Sequence, residues 1–164
     1  MHYSRAFTLI ELMVTISVLA VVIALAAPSF STMLRENRLA ALSTELQGAM
    51  QLARSEAVKR RENITVCRSN AAQSACENGT NWGVGWLITR MNGVNVQVLK
   101  VWDPVQGTVV TGPNAGITFR SNGMSSSAAA ESWSVTDSSC SGDQKRTISV
   151  NITGSATLSK GACS

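Results

Sequence analysis

Between Phe7 and Phe30 the chain reads F-T-L-I-E-L-M-V-T-I-S-V-L-A-V-V-I-A-L-A-A-P-S-F, almost wholly apolar, with Glu11 its only charged side chain. A run of that length and character has the dimensions of a membrane-spanning helix. An unpaired carboxylate inside it costs roughly 2.5–3.5 kcal/mol near the bilayer centre. Glu11 is therefore expected to meet a cation at its own depth. A fresh α-amino group at Phe7 would be one, provided the chain is cut just before it. The preceding residues, M-H-Y-S-R-A, carry one firm positive charge, Arg5. Positive charge stays cytoplasmic, so the apolar run should point its C-terminal end across the membrane.

A secretory signal peptide is the competing reading, with a basic start, an apolar middle and a small-residue cut at Ala24-Leu25-Ala26. Glu11 at the head of the apolar core argues against it. So does a helical pattern that continues straight through the would-be cut. Pro28 lies within that pattern and removes one backbone hydrogen bond, which predicts a kink. Beyond it the helix turns amphipathic: Leu39, Leu42, Leu46, Ala49 and Ala53 recur at spacings of three and four, with Leu34 and Met50 widening the stripe. Arg35, Glu36, Arg38, Glu45, Gln47, Gln51, Arg54 and Glu56 fill the other face. A helix ending near Arg61 or Glu62 would be roughly 80 Å long at about 1.5 Å per residue. Lys59-Arg60-Arg61 in its last turn suits the helix dipole, with contact to acidic lipid or a neighbouring subunit as the alternative.

After residue 63 the composition shifts to Gly, Ser, Thr and Asn, as in a β-rich exported head. Ile64–Arg68 reads as a strand. Trp82–Thr89 reads as another, with Gly83 and Gly85 leaving room for a neighbouring backbone and Trp82 and Trp86 on one face. Those tryptophans are expected in the core or between sheets rather than on a sugar-binding platform. Asn92-Gly93 predicts a type I′ hairpin between 84–90 and 94–102. Residues 105–130 look like variable, partly mobile surface with short strand-like pieces at Thr108–Thr111 and Ile117–Phe119. A strand at Ser132–Thr136 precedes a last hairpin, Arg146–Ile152 and Ser155–Leu158, turning at Thr153-Gly154 with Ile148, Val150 and Ile152 on one face.

The cysteines are Cys67, Cys76, Cys140 and Cys163, four in all and all beyond the apolar run. An even count in an exported region reads as two disulfides. Cys67–Cys76 would close a polar loop, and Cys140–Cys163 would pin the C-terminus, although four cysteines permit three pairings. No pair has CxxC spacing and the single histidine, His2, precedes the apolar run, so no metal or cofactor is expected. The net charge of +4 is carried by scattered residues and does not by itself mark a nucleic-acid surface. No nucleophile–base arrangement or phosphate loop stands out. Asp103, Glu131, Asp137 and Asp143 read as surface acids, and the Asn-x-Ser/Thr triplets at Asn63, Asn78 and Asn151 as incidental. A structural or assembly component is expected rather than an enzyme.

The segment R-A-F-T-L-I-E-L-M-V resembles the class III leader and first turns of type IV pilins and pseudopilins. Ala41 to Ala57, with Gln51-Leu-Ala-Arg-Ser-Glu-Ala57, together with Ile64–Arg68, Gly85-Trp86 and T-I-S-V-N-I-T-G, resembles the FimT/GspH class. The resemblance covers nearly the whole chain. It implies that a prepilin peptidase cuts between Ala6 and Phe7 and N-methylates Phe7. Ala6 stands where the family usually has Gly; both are small. It further implies that Glu11 neutralises the amino terminus of an adjacent subunit in a filament, and that Pro28 marks a stretch that loosens on assembly. The implied fold is α+β: a long N-terminal helix, membrane anchor first, packed on a sandwich-like head of two small antiparallel sheets. The expected parts are a leader (1–6), an anchor or filament-core half-helix (7–30), an amphipathic half-helix (31–62) and a periplasmic β-rich head (63–164).

Three functions fit the resemblance. One is a minor pilin of the initiating tip complex of a type IV pilus, serving adhesion and twitching motility. Another is a minor pseudopilin of type II secretion. The third is a competence pilin that captures DNA through basic residues of the last hairpin; here only Lys145, Arg146 and Lys160 are available. The expected partners are the prepilin peptidase, other minor and major pilins or pseudopilins, and inner-membrane lipid. The expected place is the inner membrane, then a pilus or pseudopilus tip.

Overall fold

A computed structural model of the chain describes residues 7–93 and 95–163, and within its first helix it leaves the side chains of 25–29 undescribed. The leader, Ala6 included, therefore lies outside the described residues. Helix α1 runs from Leu9 to Arg60, and the chain divides between Asn37 and Arg38 into two compact units.

In the first unit the apolar residues of α1 from Leu9 to Ile23 are exposed on every side, as are Phe30, Met33 and Leu34. Leu34 thus stands outside the buried stripe it was expected to widen. Pro28 falls inside α1; its ring belongs to the undescribed side chains.

In the second unit the burial of α1 follows the helical period. Leu39, Leu42, Ser43, Leu46, Ala49, Met50, Ala53 and Ala57 are buried. The three alanines let the helix approach the strands closely, which large side chains at the same positions would prevent. Ser43 returns its hydroxyl to the Leu39 carbonyl at 2.6 Å, so its burial leaves no polar group unmade.

Eight strands follow among the described residues: β1 (Ile64–Arg68), β2 (Trp86–Asn92), β3 (Asn95–Trp102), β4 (Val109–Thr111), β5 (Ile117–Phe119), β6 (Glu131–Thr136), β7 (Lys145–Val150) and β8 (Ala156–Gly161). They make two four-stranded sheets, ordered β3-β2-β1-β5 and β4-β6-β7-β8, and every pairing is antiparallel. Ile64, Val66, Ile88 and Phe119 from one sheet and Val110, Trp133, Val135, Ile148 and Val150 from the other join the α1 stripe in one core. This is the α+β arrangement of a helix on two small antiparallel sheets.

Four local expectations are corrected. Trp82 is not in a strand: Trp82–Val84 is a 3-10 turn, started where the Gly83 N–H donates to Asn81 Oδ1 at 3.0 Å. Asparagine competes with ladder hydrogen bonds in this way, and a strand ends where it wins. Asn92 pairs with Asn95, so the hairpin turns one residue later than Asn92-Gly93, with Gly93 at φ 63° opening the two-residue loop; Val94 lies outside the described residues. Residues 105–130 are not simply surface. They place β4 in one sheet and β5 in the other, with Val110, Ile117 and Phe119 buried. Finally, Ile152 lies past the end of β7 and is exposed.

Gly85 and Gly116 show why the strands can sit so close. A Cβ on Gly85 would lie 2.4 Å from the Trp102 carbonyl, and one on Gly116 would lie 2.2 Å from that of Val66. Both positions have positive φ as well, which glycine adopts without strain.

Candidate assembly surfaces

The start of α1 is built by Thr8. Its carbonyl accepts the Leu12 N–H at 3.2 Å and its hydroxyl accepts the Glu11 N–H at 3.3 Å. Thr8 is thus the N-cap and Glu11 the third helical residue. The pattern Thr-x-x-Glu is that of a capping box and was available in the sequence. A carboxylate here also suits the positive end of the helix dipole. Among the described residues Glu11 has no ion-pair partner. No helix among the described residues is long and apolar enough to cross a membrane; the described apolar side chains stop at Ala24, while the sequence stays apolar through Ala27.

At the other end of α1, Arg61 takes a left-handed conformation at φ 56°, and the Glu62 N–H returns to the Ala57 carbonyl at 3.2 Å. That closes the helix in the Schellman manner with arginine in the usual glycine place. Glu62 then meets Arg90 of β2 at 2.9 Å. One turn earlier Glu56 pairs with Arg60 and, at 3.9 Å, with Lys59. The hydrogen bond from Arg60 holds the Glu56 carboxyl below its usual range; partial burial opposes this, and the charges of Arg60 and Lys59 add to it. The basic end of the helix is thus partly neutralised within the chain.

The tryptophans offer no platform for a ligand. Trp82 is buried edge-on against Trp133, ring centroids 5.5 Å apart, and Trp86 stacks on Trp102 at 5.9 Å. Lys100 sits 4.6 Å from the Trp102 ring centre.

The three basic residues of the last hairpin do not share a face. Arg146 pairs with Val135 on one side and Lys160 on the other. It therefore lies on the face of Ile148 and Val150, which packs the core, and Lys145 lies on the opposite face. The Arg146 Nε is buried and has no hydrogen-bond partner among the described residues. Two cations directly opposite across a ladder repel each other. The strand alternation thus splits what a list of residues suggests is one patch.

Cysteines 67 and 76 are bonded, with Cα atoms 5.5 Å apart, as are 140 and 163, at 5.7 Å. The first bridge closes the loop after β1. The second ties the segment after β8 to the loop before β7, where the Cys163 N–H also reaches the Gly142 carbonyl at 2.9 Å.

Arg54 has a part that the helical pattern alone did not reveal. Its Nε donates to the Gly123 carbonyl at 3.0 Å. Gly123 and Gly154 are packed so tightly that a Cβ on Gly154 would lie 2.0 Å from that same carbonyl. Nearby, Gln47 donates to the Ala156 carbonyl at 3.0 Å. Two polar side chains of α1, Gln47 and Arg54, therefore hold the start of β8 and the turn after β5 against the helix. The signal was present only as an arginine flanked by small residues in Ala53-Arg54-Ser55.

Residues 42–154 match the model of a family described as the type II transport protein GspH, and residues 1–27 match the prokaryotic N-terminal methylation motif. No curated protein matches the chain significantly. Among solved structures the fold is similar to the type IV minor pilin FimU of Pseudomonas aeruginosa, at 22% identity and a TM-score of 0.61 over 75% of this chain and 89% of that one. It is also similar to the minor pseudopilin EpsH from the type 2 secretion system of Vibrio cholerae, at 12% identity and a TM-score of 0.51 over 74% and 94%.

Proposed function

The chain belongs to the GspH family, and from that premise we propose that it is a minor subunit of a type IV pilus, seated in the initiating tip complex. The observation that carries this reading is the stretch from Phe7 to Ala24. It is exposed on every side in the single chain, and its one charge, Glu11, sits at the capped start of the helix. Such a surface is stable only in lipid or against other helices like itself.

On this reading a prepilin peptidase cuts between Ala6 and Phe7 and methylates the new amine. The subunit waits in the inner membrane, and Glu11 then meets the amino terminus of a neighbour inside the filament. The match to the methylation motif supports the processing step. Two charges meeting in a dry bundle are strongly coupled, because removing either leaves the other buried and unpaired. Pro28 would be the place where α1 yields as subunits pack.

The type II secretion pseudopilus is the second reading, favoured by the description of the family itself. Both readings share the same chemistry of anchor, cut and pairing. The competence reading receives no support from the last hairpin, whose basic residues are divided between two faces.

The test is incorporation. Glu11→Ala should leave leader cleavage intact and reduce the amount of subunit in sheared filaments at least about tenfold, the loss expected of an uncompensated buried charge. The exported wild-type chain should begin at N-methylated Phe7 by mass spectrometry. Filaments that take up Glu11→Ala as readily as wild type, or a mature chain beginning at Ala27, would overturn the reading. Deletion strains scored for twitching and for secretion separate pilus from pseudopilus.

A further inference from the structure

Beside the last turns of α1 lies an open groove of about 580 Å³, lined by Gln51, Arg54, Val58, Lys59, Ser155 and Ala156 among others. Its floor is rigid: Arg54 grips the Gly123 carbonyl, and Gly154 presses against the same backbone. Val58 lines it and is 51% exposed. Two further exposed apolar side chains come from segments packed beside it, Ile152 at 49% and Met124 at 40%. These side chains come from three separate segments. The place of a Gly123 Cβ lies 3.0 Å from Val58 Cγ2, and the Ser125 N–H bonds the Ile152 carbonyl at 3.1 Å, which draws the three together. Arg54 and Lys59 make the groove basic, and no carboxylate lines it; Glu56, 3.9 Å from Lys59, offsets part of that charge.

We propose that this groove receives a short segment of a different pilin-like subunit, one that carries a carboxylate beside one or two large apolar side chains. Val58 and the exposed Ile152 and Met124 beside the groove would take the hydrophobic anchor, and Arg54 and Lys59 would face the acid. A second copy of this chain is a poor source of that acid. The chain is basic, at +4. In its head, Glu56, Glu62 and Glu77 are already paired, Asp103 and Asp137 accept hydrogen bonds from their own chain, and Glu45, Glu131 and Asp143 have no exposed large apolar neighbour in sequence; Glu11, on the same reading, is committed to the filament core. The inference rests on the reading of the chain as a filament subunit, and it adds which face of the head meets the neighbour and with what chemistry.

The full-length protein is to be expressed in cells that make the filament, with a photo-crosslinking residue at Val58 or Ile152, or at Val96 on the far edge strand as control. The expected result is one adduct from positions 58 and 152 and none from 96. Its partner should be another filament subunit, joined through a peptide that contains Asp or Glu. Lys59→Glu should lower the yield from 152 roughly fivefold, the loss of about 1 kcal/mol. Replacing the partner's carboxylate by lysine should restore it. An adduct with a second copy, a partner peptide free of carboxylates, or no adduct from filaments that contain the chain would each overturn the proposal while leaving the filament role standing. Absence of the unsubstituted chain from filaments would overturn both.

Discussion

Gly154 shows how one hydrogen in place of a methyl group can hold two distant turns together. Its φ of 78° suits glycine, and the space for a Cβ is already filled by the Gly123 carbonyl. Gly154→Ala should therefore cost about 2 kcal/mol or more, from backbone strain and the clash together. The shift in the urea midpoint relative to wild type measures it. Glu56 carries a smaller and pH-dependent effect. Its carboxyl is held below the usual range in the folded chain, first by the Arg60 hydrogen bond. A lowered folded value means that the pair stabilises above the unfolded value, near 4.5, and that this contribution is lost as pH falls through the folded value. Glu56→Gln should cost about 0.3–0.5 kcal/mol at pH 7, the size of an exposed helical pair. The difference from wild type should shrink as pH falls below 4.5 towards the lowered folded value. A difference that does not change with pH would assign it to packing instead.

The element most dependent on a covalent tie is β8. It is the edge of its sheet, and four of its six residues are exposed. Beyond it the chain is anchored by the bond from Cys163 to Cys140 across 23 positions. Closing a loop of that size removes unfolded-state entropy equivalent to about 3 kcal/mol. Cys163→Ser should lose much of that stability, seen in the melting temperature. It should also speed amide exchange along 156–161 well beyond that along β1 and β2. Strand β1 needs no such tie, because it is internal to its sheet and flanked by β2 and β5. Helix α1 is held differently again, by small buried residues and by two reaching side chains, Gln47 and Arg54.

Across the whole molecule, what could be read in advance was what depends on period. The stripe from Leu39 to Ala53 and the alternation of Trp133 with Val135 are set by burial on one face, and both appear in the core. Features decided by competition between local hydrogen bonds were not readable. Asn81 turned Trp82–Val84 away from a strand. The hairpin after β2 moved its glycine to the front of the turn, because the register Asn92 to Asn95 is set by the whole ladder. Of the candidate assembly surfaces, the apolar run around Glu11 was plain in the sequence, and its described side chains are exposed in the structure. The groove was not, because its parts lie on α1, on the turn after β5 and on the turn after β7, which no spacing rule connects. In the last hairpin Lys145 and Arg146, neighbours in sequence, are parted by the pleat, while Lys160, fourteen residues on, lies across the ladder from Arg146.

The order in which strands are dealt to the two sheets also bears on how the head folds as it is made. The first sheet takes β1, β2 and β3, cedes the next strand to its partner, and only then receives β5 along the flank of β1. As the chain emerges from its N-terminal end, that flank of β1 stays unpaired until Phe119 has followed. By then the second sheet has received only β4, whose neighbour β6 has not yet appeared. For that interval the emerging chain shows raw edges from both sheets at once, so this is the stage at which a chaperone would matter most to it.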